Sequence, residues 1–318
     1  MTVKSEYTYP EKVVIGTRGS PLALVQANMV KDEIVKIGQN IDVKLVIITT
    51  SGDWRPEDGE VRLQALEGGK AQFAKEIEEA LLCKEIDIAV HSMKDMETIL
   101  PEGLIIPFML PREDSRDVLL SVNSQNILDL PVGCTVGTVS ARRQAFLLNM
   151  RPDLNVVPLR GNVQTRIDKL KAGQVDATFL ACAGLNRLGL SHEITSIIEC
   201  DDMLPSVGQG AIGIEMRDVD MERLSFIGQF SCENTFICVE CERSVLRALG
   251  GSCHTPIGVS ATYDGGEIHL RVKIISVDGK DVWVEDVRTE IGSYADAVQF
   301  GSNVGERLKD VVPKEVLG

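Results

Sequence analysis

The chain has no apolar run approaching the roughly 18 residues that a membrane-spanning helix needs. Its first residues, MTVKSEYTYPEKVV, carry no apolar stretch of the kind a secretory signal requires. Both absences lead to the expectation of a cytoplasmic protein. Positive charge is also short: 33 Lys and Arg stand against 47 Asp and Glu, a net charge of −14. That balance excludes a general nucleic-acid binder, whose affinity rests on neutralising phosphates. Aromatic residues are few, but 44% hydrophobic and 25% charged residues keep the chain within soluble globular composition and exclude disorder. There is no G-x-S-x-G elbow, no second C-x-x-C pair, no internal repeat and no low-complexity segment. Eight irregularly spaced cysteines read as reduced thiols and not as a disulfide framework.

At 318 residues the chain is long enough for two or three domains. Short β-branched runs alternate with amphipathic stretches, the pattern of parallel sheets with crossover helices. KVVIGTR leads into a helix with Ser20 as N-cap and Pro21 at the first helical position. VKLVIITT, IDIAVHS, CTVGTVS, NVVPLRG and DATFLACAG read as further strands, several followed by helices, and such units make a doubly wound α/β fold. From about residue 257 the pattern changes to strands joined by turns at Asp264-Gly265-Gly266 and Asp278-Gly279, with ADAVQFGSNVGERLKDVV as a closing helix covering one face.

Charge is unevenly spread: residues 131–190 hold eight basic residues against three acidic ones. Arg18, Arg142, Arg143, Arg160, Arg166 and Arg187 all fall where a strand is expected to end and a helix to begin, the place where open α/β sheets bind ligands. Guanidinium forks beside helix N-termini make a site for several carboxylates or phosphates. Solvated surface charge accounts for any one of them; the set points to a polyanion site.

Three motifs carry less than they promise. Gly208-Gln-Gly210-Ala-Ile-Gly213 matches G-x-G-x-x-G but leads into the strand-like AIGIEMR, whereas a dinucleotide fingerprint opens a helix. Cys238-Val-Glu-Cys241, with Cys232, Cys253 and His254 near in sequence, has helical spacing and lacks a second pair, so no metal site is expected. His91, Ser92 and Asp95 are the residue types of a hydrolytic triad, but neighbours in one strand and turn point in different directions.

Taken in order, several stretches resemble one family: Arg18-Gly-Ser20-Pro-Leu-Ala-Leu, Gly68-Gly-Lys70 with Phe73 and Lys75-Glu76, Ala89-Val-His-Ser-Met-Lys-Asp95, Val136-Gly-Thr138-Val-Ser140-Ala-Arg142-Arg143, Leu159-Arg160-Gly-Asn-Val-Gln-Thr-Arg166, Ala183-Gly-Leu-Asn-Arg187, Gly208-Gln209-Gly210 and Gly251-Ser-Cys253-His-Thr-Pro. They resemble hydroxymethylbilane synthase, or porphobilinogen deaminase, from about residue 13 to 258. The resemblance implies two doubly wound α/β lobes of periplasmic-binding-protein type, residues 1–110 with 211–228 and the basic 111–210, followed by a small α+β domain with an antiparallel sheet over 229–318. It implies a transferase of tetrapyrrole (haem) biosynthesis that condenses porphobilinogen head to tail into linear hydroxymethylbilane and releases ammonia. It also implies a dipyrromethane cofactor on a cysteine thioether, here Cys253 in its Gly/Ser turn; with the charge balance and the lack of an apolar span, the expectation is a monomer without nucleic-acid or membrane partners.

By the same resemblance Asp95 is the catalytic carboxylate beside the pyrrole N–H groups. Arg18, Ser20, Ser92, Lys94, Thr138, Ser140, Arg142, Arg143, Arg160, Arg166, Arg187 and Gln209 bind cofactor or substrate, with Lys70 and Lys75 near a loop over the site. No metal is implied. The chain departs from the family's pattern at Met96-Glu97 (Val-Pro), Ala71-Gln72 (Gly-Leu), Val139 and Ala141 (Ser and Leu) and Ser252 (Gly), none of which removes a charged participant. The alternative is a non-catalytic two-lobed anion-binding protein built on the same strand-end arginines, which gives Cys253 and Asp95 no role.

Overall fold

A computed structural model describes residues 7, 9–38, 40–51, 74–251 and 255–317. The first strands and helices run β1 (Lys12–Arg18), α1 (Pro21–Ile37), β2 (Asp42–Ile48), α2 (Lys75–Leu82), β3 (Ile88–Ser92) and β4 (Leu104–Met109). A second group follows as β5 (Asp117–Ser121), β6 (Thr135–Gly137), α3 (Ala141–Met150), β7 (Asn155–Val157), α4 (Val163–Lys171), β8 (Ala177–Ala181), α5 (Cys182–Arg187) and β9 (Ser196–Ile197). The chain then returns to the first sheet with β10 (Ile212–Arg217).

The two sheets share one plan. The first has strand order β2-β1-β3-β10-β4 and the second β7-β6-β8-β5-β9. In each, three strands are parallel and the fourth, which follows a crossing between the lobes, runs antiparallel to its neighbour. This is the doubly wound α/β architecture that the strand and helix alternation implies, in the two lobes that the resemblance implies. Local chemistry sets the elements: Ser20 Oγ accepts from Ala23 N at 3.3 Å and Pro21 occupies the first turn of α1. In the second lobe the all-buried run of β8 lies between β6 and β5, with Phe146 of α3 and Phe179 of β8 in its core. Each such aromatic contributes roughly 1.5–3 kcal/mol by burial.

The third unit consists of α6 (Glu233–Leu249), the antiparallel meander β11 (Ile257–Asp264), β12 (Glu267–Ile275) and β13 (Val282–Glu290), and the helices α7 (Tyr294–Val311) and α8 (Lys314–Leu317). The hairpin turns fall where Gly265-Gly266 and Gly279 stand. The apolar core of the sheet is shared by α6 and α7, so two helices cover it and not the closing helix alone. They approach closely at Gly301 and Gly305, where an added Cβ would stand 2.3 Å from the Cys241 carbonyl and 2.6 Å from that of Val245. No helix among the described residues is long and apolar enough to cross a membrane.

Two crossings join the lobes, one between β4 and β5 and one between β9 and β10. They lie side by side, with Glu113 N donating to Gly210 O at 3.1 Å. Gly208 (φ 69°) and Gly210 (φ 87°) form a tight turn here, and a Cβ on Gly210 would meet Glu113 O at 2.4 Å. The glycines of the apparent dinucleotide motif thus serve the crossing.

Candidate active site

Asp95 is the point from which the site is best built. It closes a 3-10 turn, Met93–Asp95, at the end of β3, held by Met93 N donating to Ala211 O at 3.0 Å. Two cavities meet at Asp95 and Met96. One, on the side of the first lobe, is lined by Arg18, Ser20, Gln26, His91, Ser92 and Asp95. The other opens between the lobes and the third unit; Lys94, Asp95, Ser140, Arg142, Arg143, Arg166 and Gln209 line it, together with Gly251, Thr255 and Ile257.

Nine of the expected residues are thereby gathered around a tenth, the carboxylate of Asp95: Arg18, Ser20, Ser92, Lys94, Ser140, Arg142, Arg143, Arg166 and Gln209. Thr138 supports from behind, its Oγ1 accepting from Ser140 N at 3.2 Å, while Ser140 caps α3. Arg160, Arg187 and Lys75 line neither cavity. Arg160 is buried between β7 and α4, and Lys75 is exposed at the start of α2. Arg187 is the last residue of the short helix α5, not the start of a helix, and its Nη2 donates to Gly210 O at 2.7 Å. Burial pushes its pKa down, with Glu113 opposing. Cys253 and Lys70 lie outside the described residues, as does the surrounding 55–70 segment. Gly251 and Thr255, on either side of 252–254, both line the larger cavity.

The arginine pair is held by a carboxylate that sequence reasoning missed. Arg142 Nη1 stands 2.6 Å from Asp117 Oδ2, and Arg143 donates through Nε (3.2 Å) and Nη2 (2.7 Å) to Asp117 Oδ1. Burial alone would raise the pKa of Asp117, but the two guanidiniums override it and hold the carboxyl well below the usual carboxylate range. Gln26, also missed, is buried on α1 with its amide 2.9 to 3.0 Å from Ser92 Oγ. A polar residue at a core-facing helical position was the one available signal for it.

The remaining motifs resolve structurally. His91 Nε2 lies 3.0 Å from Glu215 Oε2, both buried, so His91 and Ser92 turn to different partners and form no triad. Cys238 and Cys241 are buried on α6, and burial pushes the Cys238 thiol up to about 12. Among the described residues no group of three His, Cys, Asp or Glu side chains could hold a metal ion.

Glu78, on α2, is pushed up to about 7 from its ordinary 4.5, first by burial and then by the charge of Glu215. Between those values the folded chain binds more protons than the unfolded one, so this group's contribution to stability falls as pH rises. Glu78→Gln is expected to unfold at a higher temperature than the parent at about pH 8, with the gain gone at about pH 5. Calorimetric melts at the two pH values check this; an equal difference at both would contradict it.

Comparison with known proteins places the chain in a family. Residues 13–225 match the family model described as porphobilinogen deaminase, dipyromethane cofactor binding domain, and residues 236–310 match the porphobilinogen deaminase C-terminal domain. The chain belongs to the porphobilinogen deaminase family. It is 47% identical over 298 residues to the porphobilinogen deaminase of Nitrobacter winogradskyi, covering 93% of this chain and 92% of that protein. It is 45% identical to that of Paracoccus denitrificans, with 95% of each covered, and 44% identical to the chloroplastic protein of Oryza sativa, with 93% of this chain and 82% of that one covered. A YaeC-family lipoprotein from Enterococcus faecalis aligns over 71% of this chain and 93% of its own at 13% identity and a TM-score of 0.44. Porphobilinogen deaminase membership makes the chain an enzyme, a transferase of tetrapyrrole biosynthesis.

Proposed function

We propose that the chain condenses porphobilinogen into linear hydroxymethylbilane with loss of ammonia, at the cavity around Asp95, on a dipyrromethane tethered through a thioether to Cys253. The observation that carries this reading is the cavity lining: Asp95, Lys94, Arg142 and Arg166 share it with Gly251 and Thr255, the residues that bracket Cys253 in sequence. The donor set suits such a group. Its acetate and propionate side chains need charge-assisted, preferably bidentate donors, and Arg142 Nε and Nη2 make no hydrogen bond or ion pair among the described residues. A tethered dipyrromethane supplies the pyrrole carbon from which the chain grows.

The protein's own groups do the rest. Arg18, Arg142 and Arg166, with Ser20 and Ser140, hold substrate and cofactor carboxylates and so fix the reacting carbons in register. Asp95, between the two cavities, accepts from pyrrole N–H and lowers the energy of the positive charge that develops as ammonia departs. The same carboxylate is placed to move the proton lost when the new carbon–carbon bond forms. We assign residues 1–110 with 211–228, 111–210 and 229–318 to the three domains, and read the enzyme as a cytoplasmic monomer. The anion-binding alternative leaves Asp95 and Cys253 without work.

Intact-mass measurement of the purified protein is expected to show the polypeptide plus one dipyrromethane, with peptide mapping locating it on Cys253, and incubation with porphobilinogen is expected to release ammonia. A protein that turns over porphobilinogen with no adduct, or with the adduct on another residue, would refute the tether. Tight carboxylate binding without ammonia release would favour the binding protein.

A further inference from the structure

The carboxylate of Asp117 converges more donors than any role above explains. Asp117 opens β5 immediately after the first crossing and is fully buried. Its Oδ1 accepts from both Nε and Nη2 of Arg143 and from Gln209 Nε2 at 3.1 Å, while Arg142 Nη1 lies against Oδ2. The third nitrogen of Arg143, Nη1, donates to the Phe179 carbonyl at 2.7 Å, so every nitrogen of that guanidinium is engaged inside the protein. Arg142 commits only Nη1, shared between Asp117 and the Leu204 carbonyl at 2.7 Å. Its Nε and Nη2, the edge that can grip a carboxylate with two parallel hydrogen bonds, have no partner among the described residues, and the side chain lines the larger cavity.

The two adjacent arginines are therefore not equivalent. One is turned inward by Asp117 and the other is braced by it with an edge left over. Two guanidiniums and one carboxylate also leave a single net positive charge, where an uncompensated pair would carry two and repel. Gln209 ties the arrangement to the return crossing, because its amide donates to Ser115 O at 2.7 Å as well as to Asp117.

We propose that Asp117 is a positioning residue of this site, which holds Arg143 inward, leaves the Nε/Nη2 edge of Arg142 for the ligand, and sets the pair to receive one carboxylate. This rests on the porphobilinogen-condensing function proposed above and adds which arginine receives the ligand and what holds it.

The test compares Asp117→Asn, Asp117→Glu and Arg143→Gln with the parent holoenzyme, each shown folded by circular dichroism, with KM and kcat measured separately and with sulfate as a competing anion. Asp117→Asn leaves two positive charges and an unbraced pair. It is expected to raise KM for porphobilinogen by about tenfold, with a smaller change in kcat, and to become more sensitive to sulfate. Asp117→Glu is expected to recover most of the KM. Arg143→Gln leaves the trio neutral, and is expected to raise KM while becoming less sensitive to sulfate. Opposite movements of sulfate inhibition are a signature that general damage to the fold does not produce. Folded Asp117→Asn with parental KM and parental sulfate inhibition overturns the proposal; if that variant does not fold, Arg143→Gln with both values unchanged overturns it. If the parent releases no ammonia from porphobilinogen, the functional reading itself fails, and calorimetric titration of sulfate into the same proteins still decides the charge assignment.

Discussion

Asp95→Asn is expected to lose about 100- to 10,000-fold in turnover, the range for removing a positioned carboxylate that handles charge and protons, while still carrying its covalent dipyrromethane. The substitution is nearly isosteric, so the 3-10 turn, with Met93 N bonded to Ala211 O, has no reason to move. What is lost is the negative charge at the junction of the two cavities. Without it, the cation left by departing ammonia faces Lys94, Arg142 and Arg166 with no counter-charge supplied by the turn. Cys253→Ser should separate from this cleanly: it is expected to remove the adduct and the activity together, because an alcohol is a far poorer nucleophile than a thiol. Intact mass and single-turnover ammonia release, measured on both variants, distinguish the two losses. Asp95→Asn with near-parental ammonia release would remove Asp95 from its role, and Cys253→Ser that keeps the adduct would remove Cys253 from its own.

That Asp95 falls beside other polar residues at strand ends was legible in the sequence for a physical reason, and the illegibility of its supports has one too. Asp95, Ser92 and Arg18 sit at ends of strands whose apolar runs announce themselves, and Ser20 and Ser140 declare helix starts by their capping chemistry. Local sequence carries that information. β4 was missed because Pro107 interrupts its run; β4 is an edge strand, and a register shift in its pairing with β10 absorbs the proline where a central strand would not. The two-residue β9 is too short to show a period, and β5, though as long as β3 and β8, was missed as well. The buried ionic partners are another matter. Asp117 meets Arg143 across 26 residues and Gln209 across 92, and Arg112 meets Glu242 across 130. Such pairings follow from topology, and no local pattern distinguishes Asp117 or Glu242 from a surface acid. Arg187 shows the same limit: it was expected where a helix begins, but the six-residue α5 puts it at the helix end, beside the return crossing.

Glu242 is where the largest structural loss is expected. It lies fully buried on α6, and both its oxygens are doubly used: Oε1 accepts from Arg112 Nη1 (2.7 Å) and Ala261 N (2.9 Å), Oε2 from Arg112 Nη2 (3.1 Å) and Gly208 N (2.8 Å). One carboxylate therefore joins the first crossing, the return crossing, α6 and β11. Burial alone would lower the pKa of Arg112, yet Glu242 holds it above its ordinary value, as a fully matched pair requires. Glu242→Leu strands the guanidinium and two backbone N–H groups, and Arg112→Met strands the carboxylate; breaking a buried pair from one side costs about 3–5 kcal/mol. In the double variant the second substitution removes an orphaned charge, so its added cost is small. The two single losses are accordingly expected to sum to well more than the double loss, by about 1–3 kcal/mol in a urea-denaturation cycle. Additivity within about 0.5 kcal/mol would mean that the pair does not act as a unit. Because Gly208 adjoins Gln209, which donates to Asp117 beside the arginine pair, the same variants are expected to weaken porphobilinogen binding even where the fold survives.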